Sequence, residues 1–114
     1  MIKSGLRQLR TTKTVTVKTK TLSGGQYSET TVSGLSNLTA TYYAKMSMEV
    51  ATDAGAVVIV SEVLGFDTLP NGTLPAIEEK HVIVEDDDTR YEVIAVVPVG
   101  GLINRLKVAV RRLR

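Results

Sequence analysis

Apolar and polar residues alternate with a period of two over much of this chain, most clearly in its C-terminal third, His81 to Arg114. The run His81-Val82-Ile83-Val84 stops at the acidic cluster Glu85-Asp86-Asp87-Asp88. Arg90 to Val99 then sets Tyr91, Val93, Ala95, Val97 and Val99 on one face, with Glu92, Ile94 and Val96 opposite. Arg105 to Leu113 sets Leu106, Val108 and Val110 against Arg105, Lys107 and Arg111. Side chains of a strand point alternately to its two faces, so β-branched residues at every second position mark strands with one buried side. The stretch reads as a three-stranded antiparallel meander. It needs strands from upstream to close it.

The upstream chain supplies them. Residues 1–11 lack clear alternation and read as an arm, flexible or ordered by a partner. Thr12 to Leu22 is rich in Thr and Val, which favour strands, and puts Lys13, Val15 and Val17 on one face. Ser23-Gly24-Gly25-Gln26 is a turn or flexible tip, because glycine reaches positive φ without a steric penalty. The strand resumes from Tyr27 to Val32, making a long N-terminal hairpin. After a turn at Ser33 to Asn37, Leu38 to Val50 alternates throughout, with Leu38, Ala40, Tyr42, Ala44, Met46, Met48 and Val50 on one side. At ~3.3 Å per residue such a run would reach ~40 Å, which predicts a bend or bulge within it. Ala56 to Val60 is a short apolar run that fits either a strand buried on both faces or the start of a helix through Leu64. Phe66 to Pro75 is a loop pinned by Pro70 and Pro75 around Asn71-Gly72. The expected fold is all-β: one small antiparallel barrel or sandwich of about six to eight strands, with a long N-terminal hairpin and a C-terminal meander.

Size and composition narrow this picture only a little. The 114 residues fit a single domain with a modest core. Aromatic residues make up only 4%, without Trp and with one Phe, so the core must come from aliphatic side chains and suits packed sheets better than a large ligand pocket. The absence of Cys excludes disulfides, thiolate metal sites and a Cys nucleophile. No apolar run follows the basic residues Lys3, Arg7 and Arg10, and none nears the ~18 residues of a membrane helix, so a soluble protein without membrane contact is expected. Charge matters more. Lys3, Arg7, Arg10, Lys13, Lys18 and Lys20 crowd the N-terminal segment, and Arg105, Lys107, Arg111, Arg112 and Arg114 the last strand. Glu78, Glu79 and the run Glu85 to Asp88 form an acidic middle. Blocks of this kind suit a nucleic-acid face. They suit equally a subunit whose acidic edge meets its neighbour's basic edge in a ring.

Candidate chemistry is sparse. Consecutive acids between two strands lack the alternate ligand spacing and the glycine of a calcium loop, so a turn with solvated charges outweighs a metal site. His81 is the only histidine, and its place at a strand start reads as structural or surface. No serine sits in a G-x-S-x-G elbow, and Ser23-Gly24-Gly25 lacks the Lys-Ser/Thr of a phosphate loop. The tyrosines are scattered, and Tyr42 and Tyr91 fall on apolar faces, so a base-stacking surface is not expected, although loose contact with phosphates is. Neither an enzyme nor a cofactor is expected.

Several strand patterns are similar to those of the small head-closure proteins (head–tail connectors, or stoppers) of tailed bacteriophages. That family opens with a hairpin carrying a V-T-I/V run, a glycine-containing tip and a Thr-rich return. Here they are Val15-Thr16-Val17, Ser23 to Tyr27, and Glu29-Thr30-Thr31-Val32. Ala40-Thr41-Tyr42-Tyr43-Ala44-Lys45-Met46 resembles the strand that follows. Asp87 to Val96 with Arg105 to Arg112 resembles the family's ending. Asp87-Asp88-Thr89 stands where the family usually has Gly-Gly or Asn-Gly, and the Trp common in its middle strand is missing. The resemblance implies a non-enzymatic part of the virion neck, assembled in the host cytoplasm. Such a protein forms a homo-oligomeric ring with portal or adaptor on one side and tail proteins on the other, and retains packaged DNA. In such a ring Glu85, Asp86, Asp87 and Asp88 would meet Arg105, Lys107 and Arg111 of the next copy. The tip Ser23, Gly24, Gly25 and Gln26, or the Pro70 to Pro75 loop, would narrow the channel. A tail-completion or tail-terminator subunit shares this geometry. A cellular nucleic-acid-binding β-barrel is the reading from another class.

Overall fold

In a computed structural model, which describes residues 10–100 and 104–113, the described residues form seven strands and no helix. They are β1 (Arg10–Ser23), β2 (Gln26–Thr31), β3 (Leu38–Thr52), β4 (Gly55–Asp67), β5 (His81–Glu85), β6 (Arg90–Val99) and β7 (Arg105–Arg112). All pairings are antiparallel in one sheet of order β2-β1-β3-β4-β7-β6-β5. A further β1–β5 pairing, from Val15↔Glu85 to Thr19↔His81, closes the sheet on itself. Strand β1 makes this possible through its length. Its first half pairs with β3 on one edge, its second half with β2 on that same edge, and its middle with β5 on the other. The all-β expectation holds, and so do the N-terminal hairpin and the C-terminal meander. Of the expected arm, Arg10 and Thr11 belong to β1, paired with Tyr43 and Tyr42; residues 1–9 lie outside the described residues.

The enclosed core contains Val15, Val17, Ala40, Leu64, Phe66, Ile83, Tyr91, Val93, Leu106, Val108 and Val110. Alternate residues of the six strands of the closed ring contribute, as the alternation requires, and β2 contributes none. Register fixes which way the ends face. β4 leaves the sheet at Asp67 and β5 enters at His81, so the loop between them crosses one end, where Leu69, Leu74 and Ile77 pack on the core. Asn71 shapes that loop by accepting the Thr73 amide at 3.0 Å and the Thr73 hydroxyl at 2.7 Å. Leu35, held by the Val17 N–H donating to its carbonyl at 2.9 Å, also packs on this core.

Two bulges change what the alternation predicts. In β3 the pairing steps from Tyr43↔Val63 to Met46↔Ser61, so β3 carries one extra residue. In β6 it steps from Val93↔Val110 to Ala95↔Ala109, again with one extra residue in β6. An inserted residue reverses which face the following side chains occupy. Leu38, Ala40 and Tyr42 therefore pack inside, while Met46, Met48 and Val50 pack outside; Tyr91 and Val93 are inside, Ala95 and Val97 outside. Beyond the bulges lies a second apolar cluster on the outer face: Met48, Val63, Ala95 and Ala109, flanked by Tyr43, Met46, Ile59 and Ile94. The bend or bulge expected within Leu38 to Val50 is found between Tyr43 and Met46, but the single apolar face read for β3 and for β6 does not survive the two bulges.

The run Ala56 to Val60 is neither a doubly buried strand nor a helix. It is the first half of β4, and Val57, Val58 and Val60 are exposed. Strand β4 meets β7 only from Glu62 onward and β3 meets β1 only up to Tyr43, so the rest of the β3–β4 hairpin has one partner per strand. It extends beyond those partners as an arm whose Met48, Val50 and Ile59 belong to the outer apolar cluster with Ala95 and Ala109, while Val58 and Val60 lie in water.

Candidate functional site

At the end of the enclosed core opposite the Leu69–Ile77 loop, each of the six strands of the closed ring contributes one polar or amphipathic side chain. Lys13, Tyr42, Glu62, Arg112, Tyr91 and Glu85 sit on the inward faces of β1, β3, β4, β7, β6 and β5, one step beyond core residues of the same parity. Their contacts pass from strand to neighbouring strand and return to the start. Lys13 Nζ lies 4.8 Å from the centre of the Tyr42 ring. The Tyr42 hydroxyl donates to Glu62 Oε1 at 2.5 Å. Arg112 donates to the same carboxylate oxygen at 2.9 Å and lies 5.5 Å from the centre of the Tyr91 ring. The Tyr91 hydroxyl donates to Glu85 Oε2, and Lys13 donates to Glu85 Oε1 at 3.1 Å.

The arrangement balances two cations against two carboxylates, with two phenols as bridges. Of the four charges only Glu85 is buried, while Lys13 and Glu62 are partly buried and Arg112 is half exposed. A buried charge is tolerable only when paired and hydrogen-bonded, and Glu85 is both. Burial, then donation to Glu85, holds the Tyr91 phenol above its ordinary range; burial, then the bond to Glu62, does the same for Tyr42. Both phenols stay protonated and keep donating. The layer's chemistry is that of a latch, with every charge answered by a neighbouring strand.

The residues singled out from sequence fall in different places. Glu85 is buried and belongs to the polar layer, not to the surface acidic edge; its parity with Ile83 carries it inside. The acidic turn is thus Asp86, Asp87 and Asp88, all exposed, with Asp88 at φ 69°. The Thr89 N–H donates to Asp87 at 3.0 Å and lowers its carboxyl pKa. Arg105 sits 3.0 Å from Asp67 Oδ1 through Nε, an ion pair misaligned for a hydrogen bond. Arg111 pairs with Glu92 across β6 and β7. Lys107 has no ion pair among the described residues. The structure does not bring the acidic turn and these cations together within one chain. His81 is buried, and its Nδ1 accepts the Glu78 N–H at 3.0 Å, which assigns the ring proton to Nε2.

The tip Ser23-Gly24-Gly25-Gln26 is a tight hairpin turn with Gly24 at φ 60° and Gly25 at φ 80°. Two consecutive positive φ values are what a two-residue turn between twisted strands needs. Beside it Leu22 and Tyr27 face each other across the hairpin, 58% and 73% exposed. Glu29, on the same face, is engaged by Arg90. At the opposite end of the sheet, Val57, Val58 and Val60 of the β3–β4 arm are 46%, 64% and 53% exposed.

Among the described residues no cluster of His, Asp and Glu is arranged to hold a metal ion, and no helix is long and apolar enough to cross a membrane. No family model matches the sequence, and no curated protein matches it. One similar solved structure is the phage-like element PBSX protein xkdH of Bacillus subtilis, with a TM-score of 0.48 and 9% sequence identity over 90% of this chain and 95% of that one. A likeness at that level says nothing about what this chain does.

Proposed function

We propose that this chain is a structural subunit of a tailed-bacteriophage neck. It would form a ring between portal or adaptor and tail, closing the head and retaining packaged DNA. The observation that carries this reading is the pair of hairpins leaving one closed sheet at opposite ends, each with large apolar side chains in water. Monomeric proteins seldom expose such residues together without a partner to cover them. Contact between two different surfaces of identical chains closes into a ring when the rotation allows. The strand patterns at Val15 to Val17, Ala40 to Met46 and Arg105 to Arg112 point to the head-closure family within that class. Of the edge residues first nominated for the interface, Asp86, Asp87, Asp88 and Lys107 keep charges free of ion pairs among the described residues.

The test is a nuclease-treated affinity capture of tagged protein from cells producing the virus, with co-purifying proteins identified by mass spectrometry. Recovery of portal, adaptor or tail proteins is expected. Recovery of the bait alone, together with tight salt-sensitive DNA binding by the isolated monomer, would replace this reading with a nucleic-acid-binding barrel.

A further inference from the structure

The two exposed apolar patches differ in composition as well as position. The β1–β2 tip carries Leu22 and Tyr27 as a cross-strand pair, with Lys20 and Lys18 next along the same face of β1. Glu29, the one acid of that hairpin, is neutralised by Arg90, so the tip is basic. The β3–β4 arm carries Val58 and Val60 on one face, opposite Glu49 and Ser47 in the register, and Asp53 stands in its turn. Glu49, Asp53, Lys18 and Lys20 have no ion pair among the described residues. One patch is thus aliphatic with two free acids toward its turn and Lys45 at its base. The other is aliphatic and aromatic with free bases.

Their placement keeps them from meeting within one chain. β1 runs from the polar-layer end of the sheet, at Lys13, to the loop end, where it turns into β2. β3 runs the other way, past Tyr42 of the polar layer and out into the arm. Because β1 and β3 run antiparallel, the two hairpins continue from opposite ends of the closed sheet.

We infer that the Val58–Val60 face of the β3–β4 arm docks on the Leu22–Tyr27 tip of a second copy of this chain, with Glu49 and Asp53 set against Lys18 and Lys20. The contact is heterologous, so each copy offers one arm and one tip, and the chain of contacts continues until it closes. The free backbone edges of β2 and of β4 from Gly55 to Ser61 lie beside these side chains and can extend the contact by strand pairing. This inference rests on the ring reading above, and it replaces the acidic turn with the arm as the principal contact.

The absence of cysteine makes the test specific. Tyr27→Cys and Val58→Cys are prepared separately, mixed in equal amounts and treated with a short bis-maleimide. A covalent dimer is expected from the mixture and not from either variant alone; the double variant Tyr27→Cys/Val58→Cys is expected to give a ladder ending at the ring size. Native mass spectrometry of the unmodified protein runs alongside. Oligomers without mixed cross-links would overturn the arm–tip contact and leave the ring reading standing. Cross-links between two copies of the same single variant would also overturn it, in favour of a two-fold contact. A monomer at every concentration, without cross-links, would overturn both. Val58→Asp/Val60→Asp gives an independent check: oligomers should be lost while the melting temperature of the monomer stays unchanged, and retained oligomers would contradict the contact.

Discussion

Glu85 stands first in a run of four acids, yet it is the one that turns inward and takes partners from β1 and β6. Its neighbours in the polar layer yield two tests. Replacing Lys13 by Met leaves the buried Glu85 carboxylate with Tyr91 as its one partner. We expect a loss of about 2 kcal/mol in chemical unfolding, below the ~3–5 kcal/mol of a fully buried pair because the Lys13 side chain keeps a quarter of its exposure. Tyr91 sets a pH dependence. Its unfolded phenol ionises near 10.0 and its folded phenol at higher pH. Above that point the unfolded chain holds fewer protons than the folded one, so stability falls as pH rises; below it the contribution is fully present. Denaturant midpoints measured from neutral pH to above pH 10 should therefore fall less steeply for Tyr91→Phe than for the parent. Equal slopes would remove the phenol from the account. Much of this layer was legible in principle. Lys13 shares the parity of Val15 and Val17, Arg112 that of Val108 and Val110, and Tyr42 and Tyr91 lie on apolar faces. Polar residues at the end of an apolar stripe are the signal. Glu62 was not legible, because the run before it fitted a helix as well as a strand.

Among the elements, β3 and β6 show what alternation can and cannot convey. A period of two locates strands and their ends, and here it located the meander from β5 to β7. The length of the β3 run predicted its bulge, but alternation does not show where a bulge falls, because one inserted residue leaves every side chain as apolar as before and only changes the face it occupies. The outer cluster of Met48, Val63, Ala95 and Ala109 was hidden for that reason. The arm was misjudged because five apolar residues in a row resemble a buried strand, and burial depends on partners that the local sequence does not carry. The contrast can be measured. Leu64→Ala, inside the closed sheet, should cost about 3 kcal/mol. Val58→Ser, on the arm, should change monomer stability by no more than about 0.5 kcal/mol. A large loss at Val58 in the monomer would mean that its face of the arm, like the Met48 face, packs against its own chain.

On the scale of the whole molecule, charge blocks and apolar tips acquire meaning only from the closure of the sheet. Closure fixes which end each hairpin leaves from, and thereby makes one chain carry two unlike surfaces at a distance. Sequence patterning identified complementary charge but assigned it to Glu85–Asp88 and to Arg105, Lys107 and Arg111, several of which are paired within the chain. The free charges near the arm and tip were visible as residues, though their relation awaited the register of β1 and β3. The most direct test of assembly is native mass spectrometry of the purified full chain, with negative-stain electron microscopy of the same sample. The account predicts closed rings of a single copy number, dispersed to monomers by Val58→Asp/Val60→Asp. A particle that remains monomeric at every concentration, or stops at a two-fold dimer, would contradict it.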